Sequence, residues 1–170
     1  MKKIFVIILM LSFINVYAAE KEDEFRVILS PNTKNPQTKY LDINTSSKEE
    51  MLAKGISLNY VNKIIEYREI TGGFSNLKEM VRISGIGDKT QEKLAKNFSK
   101  PSEFKRKELY INNADDKILK YFGFTKKEIK NIEDYRAKNS KISNNLELKK
   151  ILSDTKYDKY KDIIKYEKID

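Results

Sequence analysis

The sequence predicts an all-α protein made of two tandem four-helix units, the second diverged, behind an N-terminal signal peptide. Three observations predict it: glycine-marked turns between amphipathic runs, helix-capping signatures beside those turns, and an internal repeat in which Ile43-Asn44 returns 68 residues later as Ile111-Asn112. The turn Gly85-Ile86-Gly87-Asp88-Lys89-Thr90 is the clearest of these signals. It separates the apolar run Leu77, Met80, Val81 and Ile83 from a second run, Gln91 to Phe98. Two glycines around one buried aliphatic suggest a bend too tight for a Cβ. The amides that open the next helix lack intrahelical partners and lie at the positive end of its dipole, so they suit an anion such as a phosphate. Lys89 adds a mobile charge and Thr90 a hydroxyl donor.

The N-terminus reads as an export signal spanning 1–19. Lys2-Lys3 precede the apolar run Ile4 to Val16, and small residues favour cleavage near Ala18/Ala19. The run is shorter than a spanning helix requires, so the chain is expected to act outside the cytoplasm, in a periplasmic or extracellular space. Residues 20–40 read as a linker that includes a short strand or packing strap at Phe25 to Leu29, followed by the turn-rich Ser30 to Thr38.

The first unit spans 41–98. Ser47 with Glu50 forms a capping box for a first helix, which buries Met51 and Leu52. Gly55-Ile56-Ser57 breaks it. A second helix follows from Leu58 to Ile70, with Val61, Ile64 and Ile65 at helical spacing, and Thr71-Gly72-Gly73 ends it. Asn76 with Glu79 reads as another capping box, for a third helix to Ile83, and the Gly85 turn leads into the fourth. The unit is therefore two hairpins of similar design.

Ile43-Asn44-Thr45, the Ser47/Glu50 cap, Gly55-Ile56, Ile64 with Tyr67-Arg68-Glu69, Gly72 with Phe74, and Gly85-Ile86-Gly87 together resemble the tandem helix-hairpin-helix domain of the ComEA-type competence DNA receptors. The resemblance covers about sixty residues of the chain. It implies two hairpins related by a pseudo-two-fold that grip the backbone of double-stranded DNA across the minor groove. It implies that Gly55, Ser57, Gly85 and Gly87 present amides to phosphates around Ile86, helped by Lys89 and Thr90. The first hairpin has Ser57 where the family usually has a second glycine; Asn59 and Lys63 are the candidate substitutes there.

Residues 99–108 form a basic linker, and 109–166 repeat the first unit. Gly55 returns as Gly123; Ile64, Tyr67 and Arg68 as Ile132, Tyr135 and Arg136; Glu79 as Glu147; Ile83 as Ile151. Extended without a gap, the register matches Phe98 with Tyr166 and Gly85-Ile86-Gly87 with Ser153-Asp154-Thr155. Asp115 takes the first cap, and Asn144 with Glu147 the second. Gly123, with Lys126 and Lys127 at the following helix start, is the one place where this unit is expected to touch DNA. The competing expectation, which weighs more because half the anion chemistry is lost, is a degenerate repeat kept for packing or for a partner protein.

Charge supports a polyanionic partner: 34 Lys and Arg against 25 Asp and Glu give +9. The surplus is uneven, since 40–98 carries nine basic and eight acidic residues and 100–170 nineteen and thirteen. Lys105-Arg106-Lys107 suggests a flexible strap for phosphates. With no Cys and no His, the chain offers no disulfide, no ordinary zinc site and no Cys or Ser–His nucleophile. No catalytic residue, metal, cofactor or small-molecule substrate is expected, and no carboxylate pair suggests a DNA-cleaving enzyme. The reading is an exported, sequence-independent binder of duplex DNA. By resemblance, its partners would be a competence pilus and an inner-membrane DNA channel. The alternative is an envelope protein–protein adaptor that does not bind DNA.

Overall fold

The computed structural model describes residues 40–167. The export signal at 1–19 and the strap expected at Phe25 to Leu29 lie outside the described residues. The first four elements are α1 (Lys48–Ala53), α2 (Leu58–Thr71), the 3-10 helix η1 (Leu77–Arg82) and α3 (Asp88–Ala95). Then come β1 (Leu109–Tyr110), α4 (Asp116–Tyr121), α5 (Lys126–Asn139), α6 (Asn145–Ile151), α7 (Asp154–Tyr160) and β2 (Ile164–Lys165).

Each half closes on itself by the same device. Leu41 bridges Phe98, with the Leu41 amide on the Asn97 carbonyl at 2.8 Å. In the second half β1 pairs with β2 in parallel, Leu109 opposite Ile164. Two apolar clusters sit inside. Ile43, Met51, Val61, Ile64, Phe74 and Met80 are fully buried in the first, and Ile111, Leu119, Ile132, Ile142 and Leu148 in the second. Each such side chain contributes about 1.5–3 kcal/mol of burial free energy.

The repeated residues turn out to be braces of the backbone. The Asn44 side chain bonds both the amide (2.8 Å) and the carbonyl (3.0 Å) of Phe74, and Asn112 does the same to Ile142 at 2.9 and 2.8 Å. Arg68 caps the Ile43 and Ser46 carbonyls, and Arg136 caps those of Ile111 and Ala114. The carboxylate of Glu79 accepts the Ser75 amide at 3.1 Å, and that of Glu147 the Ser143 amide at 2.8 Å.

Leu52, expected on the buried face of α1 beside Met51, is exposed, and the structure corrects three further expectations. Asn76 and Glu79 do not form a capping box. Asn76 caps the Lys78 amide of a short 3-10 turn, while Glu79 points inward to the Tyr67 hydroxyl. The repeat is also not gapless. Leu41 and Leu109 lie 68 apart, but their partners Phe98 and Ile164 lie 66 apart. Ile83 and Ile151 are still in register, and both are buried, so the loss falls in the turn. Ser84-Gly85 has no counterpart, Ile86-Gly87 matches Leu152-Ser153, and Phe98 matches Ile164 rather than Tyr166. Third, the basic linker is not a loose strap. Lys107 donates its amide to the Thr71 carbonyl and its ammonium to that of Glu69. A Cβ on Gly72 (φ 91) would strike the Lys105 carbonyl.

The halves are locked together. Tyr121 of α4 belongs to the first cluster and lies 5.1 Å from the Tyr67 ring. Its hydroxyl donates to Glu66, which also pairs with Lys117. Burial, with the Glu66 charge and this bond, pushes the Tyr121 phenol up to about 12. Arg82 returns the contact from the first half, donating to the Tyr67 hydroxyl (3.2 Å) and the Tyr121 carbonyl (3.3 Å).

Gly123 sits at this lock: at φ 86, a Cβ there would lie 2.8 Å from the Arg82 guanidinium. Its counterpart Gly55, at φ 79, has nothing within 4 Å of such a Cβ. Gly55→Ala should therefore cost only the left-handed strain of about 1 kcal/mol, and Gly123→Ala about 2–3 kcal/mol. Urea unfolding of the two variants measures the difference.

Candidate nucleic-acid interface

Most helix starts among the described residues are closed by a side chain. Ser47, Asp115, Thr125, Asn144 and Ser153 each accept an amide of the helix they precede. Two starts differ. Ser57 before α2 makes no side-chain cap, and Gly87 before α3 has no side chain to offer. The first-turn amides of these two helices, Leu58 to Tyr60 and Asp88 to Thr90, are left without intrahelical partners. Ser57, Asn59, Gly87 and Lys89 are exposed, and Thr90 is half-buried.

One side chain joins the two hairpins. Lys63, one turn into α2, donates its ammonium to the Ser84 carbonyl at 2.8 Å, beside Gly85. It thus serves the second hairpin, not the first hairpin for which it was expected to substitute. Its remaining N–H donors stay available. Each open start thus carries the positive end of a helix dipole, with Lys63 on α2 and Lys89 on α3 adding charge to the candidate surface. Asp88, exposed at the first position of α3, is an opposing charge within it.

Other expected contacts have different roles. Ile86 is buried, and its amide donates to the Ile83 carbonyl at 3.0 Å. The Gly55 amide is likewise spent, on the Leu52 carbonyl at 2.9 Å. Ile86 and Gly55 shape their turns instead of presenting donors. Gly85 needs its glycine for φ 84, but Gly87 does not. At Gly87 φ is −86°, and an added Cβ would meet nothing within 4 Å. Space outside the protein, not backbone strain, is what the missing side chain leaves open there.

The second half has closed the equivalent sites. Thr125 and Glu128 form a reciprocal capping box, and the Thr125 amide reaches the Glu128 carboxylate at 2.7 Å. Burial opposes ionisation of Glu128, but the Thr125 bonds and Lys156 outweigh it and hold the carboxyl below its ordinary range. Lys156 also donates to the Gly123 carbonyl at 2.7 Å. Ser153 caps α7. Gly123 faces Arg82 of the first half; Lys126 and Lys127 are exposed, but the helix start they flank is already filled. The capping-box spacing of Thr125 and Glu128 was the sequence signal for this closure.

Residues 37–99 match the helix-hairpin-helix motif family. ComE operon protein 1 of Bacillus subtilis (strain 168) is 33% identical over 60 residues, 35% of this chain and 29% of that protein. This segment is thus similar to a ComEA-type helix-hairpin-helix domain. The motif is a DNA-binding module. Endonuclease/exonuclease/phosphatase family domain-containing protein 1 of Danio rerio is 28% identical over 116 residues, 57% of this chain and 21% of that protein. The protein of that name from Homo sapiens is 38% identical over 48 residues, 28% of this chain and 8% of its own length. The chain thus spans about a fifth or less of these larger relatives. No solved structure matches it significantly. Among the described residues no group of three or more acidic side chains could hold a metal ion, and no helix is long and apolar enough to cross a membrane.

Because Gly87 has ordinary φ and open space, Gly87→Asp should supply the missing cap without strain. Thermal unfolding should show stability unchanged or raised by up to about 1 kcal/mol.

Proposed function

We propose that the protein is an exported, sequence-independent binder of double-stranded DNA that captures DNA for uptake in natural competence. The observation that carries this reading is the pair of uncapped helix starts at Ser57 and Gly87 in the half that matches the family. Phosphates would accept from the amides of Leu58 to Tyr60 and Asp88 to Thr90, with Lys63 and Lys89 alongside. Main-chain donors touch no base edge, which predicts little sequence preference.

In this reading 1–19 is a cleaved signal peptide, 20–40 a tether, 41–98 the DNA-binding unit, 99–108 the basic linker and 109–166 a diverged copy. A competence pilus or an inner-membrane channel would be its partner, and the chain would perform no catalysis. A second reading, an envelope adaptor, draws on the self-capped helix starts of the second half, which have given up their anion chemistry. The two readings combine if the first half holds DNA and the second holds a protein.

The test is retention of a random-sequence duplex by the mature protein across a salt series. About four phosphate contacts would give a slope of log affinity against log salt of about −3.6. The double variant Ser57→Asp, Gly87→Asp fills both starts with its own carboxylates and should lose affinity about tenfold or more while remaining folded. Asp88→Asn should strengthen binding two- to fivefold by removing the opposing charge, on the order of 0.5–1 kcal/mol. Equal binding by the double variant and the parent would exclude these helix starts as the contact.

A further inference from the structure

We propose that the outer edge of β1 is a docking site for an extended partner peptide bearing an aliphatic side chain next to acidic residues. Two depressions meet there. One is a cleft of about 280 Å³, lined by Ile70 of α2, Leu109, Ala114, and Ile118 and Phe122 around α4. The other is an open trough of about 560 Å³ along Lys105, Arg106 and Lys107. Glu108 and Tyr110 line both, so the depressions form one continuous path, apolar at one end and basic at the other.

The backbone supplies the third element. Leu109 and Ile111 turn their amides toward β2, onto the Ile163 and Lys165 carbonyls. Alternation along the strand therefore turns the Tyr110 amide to the opposite edge, the one bordered by the cleft. The Tyr110 carbonyl on that edge is taken by the Asn113 and Ala114 amides, so a docked extended segment would accept one main-chain bond, from the Tyr110 amide, and place alternate side chains in the two depressions.

Charge selects the occupant. Lys105 is exposed, and the Lys107 ammonium bonds only a neutral carbonyl, that of Glu69. The Arg106 charge is taken by Glu79. Glu108 would repel an acidic segment, but Lys165 at 3.5 Å and the Tyr110 hydroxyl at 3.0 Å already engage it. The path is therefore cationic where it is polar, and it is lined by aliphatic groups where it is deep.

The site lies away from the uncapped helix starts. Ile70 is near the C-terminal end of α2, about 18 Å along the helix axis from Leu58. Peptide and duplex could therefore be held together, and the proposal does not depend on the DNA reading.

The probe is a fluorescein-labelled peptide, Glu-Asp-Val-Ile-Val-Asp-Glu, titrated against the mature full chain by anisotropy. Saturable binding is expected, with the Tyr110 amide becoming protected from hydrogen exchange. Ile118→Glu and Lys105→Glu should each weaken binding about tenfold, and random duplex should not compete. Because Ile118 is half-buried, its variant is checked by circular dichroism; if it unfolds, Lys105→Glu, on an exposed side chain, decides. The proposal is overturned if the peptide does not bind, or if the site variants leave its affinity unchanged. It is also overturned if a peptide with Ser for Val and Ile, or Lys for the acids, binds equally well. Displacement by duplex would assign the surface to a nucleic-acid backbone instead.

Discussion

The buried carboxylate of Glu79 is the interaction on which the arrangement of the two halves depends. A charge that deep is tolerated only when it is paired and hydrogen-bonded. Glu79 is paired with Arg82 at 3.0 Å and Arg106 at 3.4 Å, and it accepts the Tyr67 hydroxyl and the Ser75 amide. Those partners come from α2, η1, the turn between them and the linker. Through Arg82 the network then reaches the Tyr121 carbonyl in the second half. One carboxylate thus fixes the segment leading into the Gly85 turn, pins the linker and seats the second half. Burial would draw the Arg82 proton off, but the Tyr67 and Glu79 partners outweigh it and leave the guanidinium more basic than usual. The lock therefore stays charged.

The two halves show which features of a hairpin unit are architectural. Asn44 and Asn112, Arg68 and Arg136, and Glu79 and Glu147 do the same backbone work in both. Each satisfies main-chain groups of a segment distant or adjacent in the chain, a constraint independent of any ligand. The helix starts have diverged. In the second half Thr125, Glu128 and Ser153 fill them, which stabilises the helices from within and removes the donors from outside use. A surface amide can be capped from within or left open, and the two halves differ in which they do.

Much of the helical content and both hairpins of the first half were legible in the sequence, because glycine turns, caps and helical spacing are local signals. The site was legible in outline only. The sequence marked the Gly85 turn and Lys89, but it gave the Gly55 amide a donor role that its own bond to the Leu52 carbonyl precludes. It did not show that Lys63 reaches the Ser84 carbonyl, since the reach of a side chain across a bend depends on how two helices cross. The shortened turn of the second half was hidden because matching residues before it kept the register plausible. Arg82 and Tyr121 carried no local signal, for their roles exist only where the halves meet.

What the sequence determined by itself was the set of local commitments: where most helices start and stop, most of the residues that face a core, and the glycine-marked turns between them. These follow from backbone geometry and apolar spacing within a few turns of chain. The tertiary structure alone decided which cations are already spent. It also decided that the basic linker lies against the first half. Those outcomes depend on contacts between residues dozens of positions apart, where burial and competition for hydrogen-bond partners settle each group's role.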